Sequence, residues 1–313
     1  MISRIVTHSG PFHADDVLAV GVLLDLAPSA EVLRTRDREL LMRAVDDVDS
    51  AVVDVGWSWD ATRNNFDHHQ KDFDKVRANG VPYASIGLVW ERYGVDWLRT
   101  VLEGESLDDL VRARELLDVD LIQSVDAFDC GAVGGALHVR ETGTELRVPS
   151  VADLLGCHNP TWEEPPSFDA AFMDAVGVGQ ALLRRYAQRA ISELRYGARV
   201  AHADDGSALL VLNEPGPWRR FVAPHHLVVV FPATGEDGWL VQAVGDPAAT
   251  VFPPKLRIAY PEEWRGRGEP ELQGLTGISD AVFCHRAGFI GGAQTREGAI
   301  ALAHRLLESQ SVG

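Results

Sequence analysis

Apolar runs alternate with amphipathic segments through the first third of the chain. Residues 2–7 form a short apolar run that predicts a buried strand. Residues 31–35 and 51–55 predict two more strands. The segments between them, starting at Asp15 and at Arg38, have the apolar spacing of helices. This β-α-β-α-β order predicts an α/β fold with a parallel sheet and helices on its faces.

Helices are predicted through the middle of the chain, and the pattern changes to short strands from residue 198. Helices are predicted at residues 85–93 and 107–128, and a long one at 168–196 that we interpret as a connector. Short strand candidates follow at 199–203, 208–212, 227–231 and 239–243, separated by Gly-containing turns. A strand at 281–284, a glycine-rich turn and a helix at 295–307 close the chain. We therefore predict two domains: residues 1–195, ending in the connector helix, and a smaller α/β domain, residues 196–313.

Composition narrows the function classes. The chain has 313 residues and a formal net charge of −17, which argues against nonspecific nucleic-acid binding through a broad basic face. The net charge does not exclude an enzyme that binds a few phosphates through a metal ion and a few local cations. The three cysteines are widely spaced and form no CxxC pair. No window approaches 18 apolar residues and no signal peptide is evident, so we expect a cytoplasmic protein without a membrane partner.

Histidine and aspartate recur at the ends of the predicted strands and helices. Each group could have a purely structural role instead of binding a ligand. Near the N-terminus, the histidines could belong to a turn and the aspartate could cap a helix, and the aspartate at the third strand could cap the following turn. The doubled histidine could lie in a polar surface loop, and the last carboxylates could simply end a helix. The residues are His8, His13 and Asp15; Asp54; Asp67, His68 and His69; and Asp126 with Asp129.

A metal site accounts for these residues better than capping does. Ligands beyond the carboxyl ends of parallel strands meet at one edge of the sheet. Imidazole and carboxylate without thiolate suit manganese, iron or magnesium. Asp67 could orient a neighbouring imidazole, and one of His68 and His69 could bind metal while the other contacts a substrate oxygen. The set exceeds one ion's needs, so we predict two ions that share a bridging carboxylate and trap a hydroxide for attack on phosphorus.

Four stretches carry a resemblance to a known family. They are residues 7–15 (THSGPFHAD), 53–56 (VDVG), 66–70 (FDHHQ), and 288–292 with 295–298 (GFIGG, TREG). With them the sequence resembles the DHH phosphoesterase superfamily, which includes RecJ-type exonucleases, oligoribonucleases and manganese-dependent pyrophosphatases. More narrowly it resembles the Myg-type branch, over nearly the whole chain.

The resemblance implies a two-domain enzyme with an N-terminal DHH-type metal domain and two divalent ions, Mn²⁺ or alternatively Mg²⁺. It implies that Asp54 is the bridging aspartate and His68 a metal ligand, with His69 nearer the substrate. Asp126 best matches the aspartate of the fourth motif. His13 stands where most superfamily members have aspartate, which leaves the metal preference open. The first-motif ligands are His8, His13 and Asp15. Myg-type members are associated with 3′–5′ RNA exonuclease activity, so the resemblance implies that activity here.

The C-terminal glycines predict a phosphate seat. Glycines ahead of a helix that begins near Thr295 would offer free backbone N–H groups and a positive dipole end. Flanking cations would strengthen it, and we expect this loop to face the His68–His69 turn across an interdomain groove. The predicted substrate-binding residues are His285, Arg286, Gly291, Gly292, Thr295 and Arg296. Trp218 is an alternative contact that could stack a base, or a loop residue that closes the domain interface.

Three functions stay in play. The leading one is a metal-dependent phosphodiesterase that acts from an end on short single-stranded RNA or a small nucleotide. A second is hydrolysis of a small phosphoanhydride or phosphoester, as in pyrophosphatases, although Lys255 is the only lysine of the C-terminal half. A third is a metal- or nucleotide-binding regulator without turnover. The oligomeric state is open, a homodimer included.

Overall fold

The structure is a computed structural model that describes residues 2–134, 136–138, 143–235, 237–246 and 255–310. It divides into two compact units, Met1–Ser192 and Glu193–Gly313. The domain boundary after residue 195 stays a prediction. None of the helices in the described ranges is long and apolar enough to cross a membrane.

The first unit is built on a mostly parallel five-stranded sheet. Its strands are β1 (Arg4–Thr7), β2 (Glu31–Arg34), β3 (Ser50–Val53), β4 (Trp59–Asp60) and β5 (Asn65–Phe66). Their order is β2-β1-β3-β5-β4; β4 alone runs antiparallel, against β5. The central strands are apolar where they pair: Val6 lies opposite Leu33 on one side and Val52 on the other. The predicted α/β class is confirmed.

Helices cover this sheet. α1 is buried over most of its length because Val17, Leu18 and Val20 pack inside the unit. The helices are α1 (Ala14–Leu26), α2 (Arg38–Asp46), α3 (Ser85–Val101), α4 (Leu107–Leu117), α5 (Gln123–Asp129), α6 (Val151–Gly156) and α7 (Phe168–Ala203). A π-helical segment, Asp118–Ile122, joins α4 to α5, a 3₁₀ turn covers Ala61–Arg63, and β6 (Ala136–His138) pairs with β7 (Glu145–Arg147).

The predicted connector helix is longer than expected. α7 continues to Ala203, so the strand predicted at residues 199–203 is wrong. Tyr196 and Val200, four residues apart on one helical face, are both buried. Ala198, midway between them, is exposed, whereas a two-residue alternation would place it on the buried face with them, so the burial pattern is helical.

The second unit has a five-stranded sheet that is mainly antiparallel. Its strands are β8 (Leu209–Val211), β9 (Val228–Pro232), β10 (Trp239–Ala243), β11 (Ala281–Cys284) and β12 (Ile290–Ala293), in the order β11-β12-β10-β9-β8. Only β8 and β9 pair in parallel among these strands of the described ranges. Its helices there are α8 (Glu271–Thr276) and α9 (Arg296–Ser309), with 3₁₀ turns at Trp218–Arg220 and Glu262–Trp264. Leu302 and Leu306 of α9 belong to the buried core that also holds Val230 and Val241.

The parallel order of the first sheet positions its chemistry. β1, β3 and β5 are neighbours, and their carboxyl ends are followed directly by His8, Asp54 and Asp67. α1 then begins at Ala14, just after His13. The sheet edge therefore collects most of the predicted ligands, as the β-α-β pattern predicts.

Candidate metal centre and substrate site

His8 and His68 both lie against Asp54 at the sheet edge. His8 Nε2 is 3.3 Å from Asp54 Oδ2 and 3.2 Å from Asp16 Oδ2. His68 Nε2 is 3.2 Å from Asp54 Oδ1 and 3.3 Å from Asp129 Oδ2. Each oxygen of Asp54 thus faces a different imidazole. A carboxylate placed in this way can bridge two ions.

These contacts are ion pairs rather than aligned hydrogen bonds. His8 Nε2 and His68 Nε2 are buried, yet neither has a hydrogen-bond partner in the described part of the chain. The same is true of both carboxylate oxygens of Asp15, which is fully buried. A hydrogen bond needs its donor aimed at its acceptor. Close atoms that are poorly aligned with one another could instead serve as ligands around a shared ion.

The potential ligand atoms form overlapping groups. Within each group of three side chains, one ligand atom per residue lies within 4.8 Å of the others. Asp54 belongs to two of these groups. The groups are His8, His13 and Asp54; Asp54, His68 and His69; His68, Asp129 and Cys130; and His13, Asp15 and Asp129. His, Asp and at most one thiol suit divalent manganese, magnesium or zinc more than a structural Cys₄ site.

Burial and charge oppose one another within the cluster. Burial raises the pKa of Asp15 well above its usual range, and Asp54 and Asp129 raise it further. Burial lowers the pKa of His68, but Asp129 and Asp54 outweigh it and raise that pKa to about 12. Burial would raise the pKa of Asp54, but His68 and His8 hold it well below its usual range. A bound cation would offset the carboxylate repulsion and replace the imidazole protons.

Metal binding through Nε2 would require one particular tautomer of His8. Its Nδ1 lies 3.0 Å from Arg36 Nη2 and 3.4 Å from the Ser9 carbonyl oxygen. A guanidinium only donates, so the Arg36 contact requires Nδ1 without a proton. A His8 that bound an ion through Nε2 would keep its ring proton on Nδ1, where the Ser9 carbonyl oxygen could accept it. In that form Nδ1 would not accept from Arg36.

His68 is already oriented for ligation. Its Nδ1 lies 3.8 Å from Cys130 Sγ, and that thiol donates to the Tyr83 carbonyl oxygen at 3.6 Å. If the Nδ1 proton is shared with the sulfur, loss of the Nε2 proton to an incoming ion would direct the Nε2 lone pair to the space beside Asp54 and Asp129. The sequence alone gives no reason to expect Cys130 beside the His68 ring.

His69 is held differently. Its Nδ1 lies 2.8 Å from Asp67 Oδ1, and the same oxygen accepts the His69 backbone N–H at 3.1 Å. Asp67 is buried while the His69 side chain is half exposed. Asp67 is the main cause that raises the pKa of His69, which favours the imidazolium. The arrangement leaves Nε2 available to a substrate oxygen, as the prediction of catalytic roles for Asp67 and His69 requires.

Asp126 does not join the cluster. Its Oδ2 is ion-paired with Arg77 at 2.8 Å and its Oδ1 accepts the Gly87 backbone N–H at 3.0 Å. Its prediction as a metal ligand does not fit these contacts. Asp129, one turn later on α5, approaches His68 and His13 instead, the latter at 3.7 Å. Asp16 is a second carboxylate absent from the predicted ligands: it caps α1 through the His13 N–H and also approaches His8.

The C-terminal glycines do not form the predicted turn. Gly291 and Gly292 lie inside β12, paired with β10 on one side and β11 on the other. A Cβ on Gly291 would lie 2.9 Å from the Phe283 carbonyl oxygen, so close strand packing explains the glycine. Their N–H groups are part of a sheet, and the predicted free phosphate seat at these two residues is wrong.

The start of α9 already has an anion. Thr295 caps it by accepting the Gly298 N–H at 3.0 Å, as predicted, but its own N–H and hydroxyl both donate to Asp280 Oδ2. A carboxylate therefore occupies the place proposed for phosphate. The Arg296 guanidinium lies over the Trp239 ring at 5.8 Å. These contacts do not favour the predicted role of Thr295 and Arg296 in phosphate binding.

The flanking residues are more open to ligands. His285 Nδ1 accepts the Ala287 N–H at 3.1 Å in the tight turn that precedes β12, and Arg286 is exposed in that turn. Their predicted role stays a prediction. Trp218 is 2% exposed, in the core with Leu210 and Val229, so its alternative role in base stacking is wrong.

A cleft adjoins the cluster within the first unit. Its volume is about 460 Å³, in the range of small-molecule sites. His13, Asp15 and Asp129 open into it, together with Phe12 and Phe128. The ligand set therefore borders a space that a nucleotide-sized molecule could enter.

The chain matches a known protein family over nearly its whole length. Residues 4–307 match the model of MYG1_exonuc, described as an uncharacterised protein family (UPF0160). The human MYG1 exonuclease is 31% identical over 98% of this chain and 86% of its own length. The MYG1 protein of Dictyostelium discoideum is 30% identical over 97% of this chain and 96% of its own length.

Among solved structures, RecJ from Thermus thermophilus in complex with Mn²⁺ is similar at 15% identity, with a TM-score of 0.23. The match covers 99% of this chain and 52% of the RecJ chain, so this chain spans about half the length of that protein. A TM-score of this size does not establish a shared fold. The sequence matches over nearly the full length do establish the family, and the chain belongs to the MYG1 exonuclease family.

Proposed function

We propose that the chain is a metal-dependent 3′–5′ exonuclease that acts on short single-stranded RNA. That the chain is an enzyme of the metal-dependent nuclease or phosphoesterase class follows from family membership. The RNA substrate, the direction and the use of two Mn²⁺ or Mg²⁺ ions are the proposal. The observation that carries it is the set of buried, mutually close His and Asp atoms without hydrogen-bond partners in the described part of the chain.

The ligands would come from one edge of one sheet. They would be His8, His13, Asp15, Asp54, His68 and Asp129. A pair of divalent ions held there would lower the pKa of water and stabilise charge on a phosphoryl group.

His69 would supply a proton. Asp67 accepts the Nδ1 proton of His69 and raises the pKa of that ring, which favours the imidazolium; its Nε2 proton would pass to a departing phosphate-ester oxygen. The orientation of Asp67 is fixed in turn, because its second oxygen accepts the Trp57 N–H at 2.6 Å. The pair therefore acts as an oriented general acid beside the ligand cluster.

Shape favours chain ends over duplex. The cleft next to Asp15 and Asp129 has about 460 Å³, which suits one nucleotide. The net charge of −17 provides no broad basic face for a duplex. A terminal nucleotide held by ions and a few local groups is consistent with both.

A short labelled RNA, about six nucleotides long to lie within the site sizes of single-strand-binding proteins, tests the proposal. With a 5′ label and Mn²⁺ we expect successively shorter labelled products; with a 3′ label we expect labelled mononucleotide first. His69→Gln should lower kcat by about 10²–10⁴-fold and leave Mn²⁺ affinity unchanged. Mononucleotide released first from the 5′ end would reverse the direction, and preference for the matching DNA would change the substrate.

The small-molecule hydrolase is the competing outcome. Pyrophosphate or a nucleotide phosphoester should be cut much more slowly than the RNA. Turnover of pyrophosphate without any action on RNA would replace our proposal by that one. Mn²⁺ binding without turnover of either substrate would favour a regulator.

A further inference from the structure

Trp57 is an exposed aromatic side chain beside the catalytic candidates. It follows β3 in the loop that begins at Asp54, and it is 71% exposed. Large apolar side chains are usually well covered, but a single exposed one needs no explanation by itself. The backbone of Trp57 makes this one different.

The loop holds Trp57 in the left-handed region of backbone space. Its φ is +56°, and Gly56 before it has φ +97°. Left-handed backbone is uncommon and unfavourable for a bulky side chain. Packing of the indole does not offset that cost, because most of its surface faces solvent. Outliers of this kind gather at functional sites.

Asp67 maintains the strained conformation. Its Oδ2 accepts the Trp57 N–H at 2.6 Å while its Oδ1 holds His69. One buried carboxylate therefore sets the position of both residues. The ring centroids of Trp57 and His69 are 6.3 Å apart, with 63° between the planes.

The indole also lies close to the ligand cluster. His69 contacts both, because its Nδ1 is 3.6 Å from Asp54 Oδ1 and its ring makes a T-shaped contact with the indole. A nucleotide whose phosphate occupies the ligand cluster could therefore bring its base to the indole.

Other tryptophans of the chain are engaged or remote. Trp59 packs edge-on against Phe73 with Lys75 Nζ 4.8 Å from its ring, and Trp218 is buried. Trp162 is 91% exposed, but no ring contact joins it to a ligand histidine in the described ranges. Trp57 is therefore the tryptophan whose surroundings fit a role in substrate binding.

We propose that Trp57 stacks against the base of the substrate's terminal nucleotide. The proposal rests on the proposed exonuclease function and deepens it. An indole stacks on every base, so this contact requires a base without reading its identity. The site would therefore accept ends of any sequence and select nucleotides over pyrophosphate or sugar phosphates.

The kinetic test compares Trp57→Ala, Trp57→Phe and the matched control Trp162→Ala. On the short RNA, Trp57→Ala should raise KM by about 5- to 150-fold, the equivalent of about 1–3 kcal/mol for one stacked base. Trp57→Phe should recover much of the loss, and Trp162→Ala should match the wild type. Equal KM for Trp57→Ala and wild type would overturn the proposal.

An RNA with an abasic terminal residue separates stacking from a merely structural role. The wild type should handle it as poorly as Trp57→Ala handles normal RNA, and Trp57→Ala should show no further loss. If Trp57→Ala lowers turnover of the abasic RNA as much as of the normal RNA, Trp57 acts on the fold and the proposal is wrong.

Binding without turnover distinguishes this inference from the proposed function. With the metal loaded, the wild type should bind adenosine monophosphate more tightly than ribose 5-phosphate, and Trp57→Ala should bind the two alike. An inactive wild type that keeps this preference would overturn the exonuclease alone. An active wild type without the preference would overturn the stacking role alone.

Discussion

Two clusters of imidazole and carboxylate in the described ranges differ in character. The first is the sheet-edge cluster around Asp54. The second, in the other unit, joins Asp204 to His225 and His226, whose Nε2 atoms lie 2.9 and 3.1 Å from the same Asp204 Oδ1. Both qualify as metal-binding groups by the spacing of their ligand atoms. Distance therefore does not separate them.

Hydrogen bonding does separate them. His226 Nδ1 accepts the Ala223 N–H at 3.0 Å, so the neutral ring carries its proton on Nε2 and donates it to Asp204. Burial lowers the pKa of His226, which favours this neutral form. Asp204 also accepts the Gly206 N–H. An ion at the Nε2 of His226 would have to break this arrangement, whereas an ion at His8 or His68 would replace a ring proton among carboxylates that are not aligned as hydrogen-bond partners in the described ranges.

The largest difference is expected on removing the shared carboxylate. Manganese should stabilise the folded wild type by about 2.7 kcal/mol at 100 times its Kd, because it binds the native state. Asp54→Asn should lose nearly all of that stabilisation, since both histidines lose a shared oxygen. Asp204→Asn should keep it. Thermal unfolding with and without Mn²⁺ measures this, and equal shifts for Asp54→Asn and wild type would remove Asp54 from the site.

The next comparison is within α5. Asp129→Asn should weaken Mn²⁺ binding beyond the roughly 10–100-fold typical of residues that only orient a ligand. Asp126→Asn should leave Mn²⁺ affinity close to wild type, because that carboxylate faces Arg77 and Gly87. Calorimetric titration with Mn²⁺ measures the affinity of each variant and shows which of the two aspartates is a ligand. The reverse result would restore the sequence-based choice of Asp126.

A pH series gives a smaller but directional effect. Burial lowers the pKa of His8, but Asp16 and Asp54 outweigh it and raise that pKa to about 9; the pKa of His68 rises to about 12. Protons on these rings stabilise the metal-free fold fully below the unfolded pKa of about 6.5. The His8 contribution is lost as pH rises through about 9.

Ions must displace those protons. Apparent Mn²⁺ affinity should therefore rise about tenfold or more per pH unit between about pH 6.5 and 9, while the metal-free Tm falls over the same interval. Titrations in buffers of different ionisation enthalpy count the protons released. Binding that does not change with pH would contradict ligation by these histidines.

The sequence was sufficient for the sheet and its histidine-rich edge, for a physical reason. Alternating strands and helices permit few connections, and parallel strands bring His8, Asp54 and Asp67 to one side without knowledge of any contact. The choice between Asp126 and Asp129 needed the tertiary structure. Both lie on one helical face, and only the packing of Gly87, where a Cβ would meet the Asp126 carboxylate, shows which one faces α3.

Glycine patterns and exposure were harder to read. Gly291 and Gly292 are compatible with a turn or a tightly packed strand, and the neighbours that decide, Phe283 and Tyr260, lie elsewhere in the sequence. Nothing in the sequence marks Trp218 as buried and Trp57 as exposed. Such contacts depend on which surfaces the fold covers. The local spacing of apolar residues carries no information about that.

Cys130 gives the smallest expected effect and the finest test of what makes the first cluster a site. If the Cys130 sulfur accepts the His68 Nδ1 proton, it favours the tautomer whose Nε2 lone pair can bind an ion. Cys130→Ala should weaken Mn²⁺ binding by about tenfold, the low end for such partners, because the exposed position lets water replace the sulfur. Cys130→Ser should lose less, since its hydroxyl can also accept.

Cys157→Ala is the matched control. That cysteine is also exposed and lines the cleft, but it has no hydrogen bond to a ligand histidine in the described ranges. Its removal should leave Mn²⁺ affinity unchanged. Equal affinities for Cys130→Ala and Cys157→Ala would mean that the cluster alone orients His68. The lack of aligned hydrogen bonds at the Nε2 atoms of His8 and His68 would then be enough to distinguish the Asp54 cluster from that of Asp204, without a hydrogen bond from the Cys130 side.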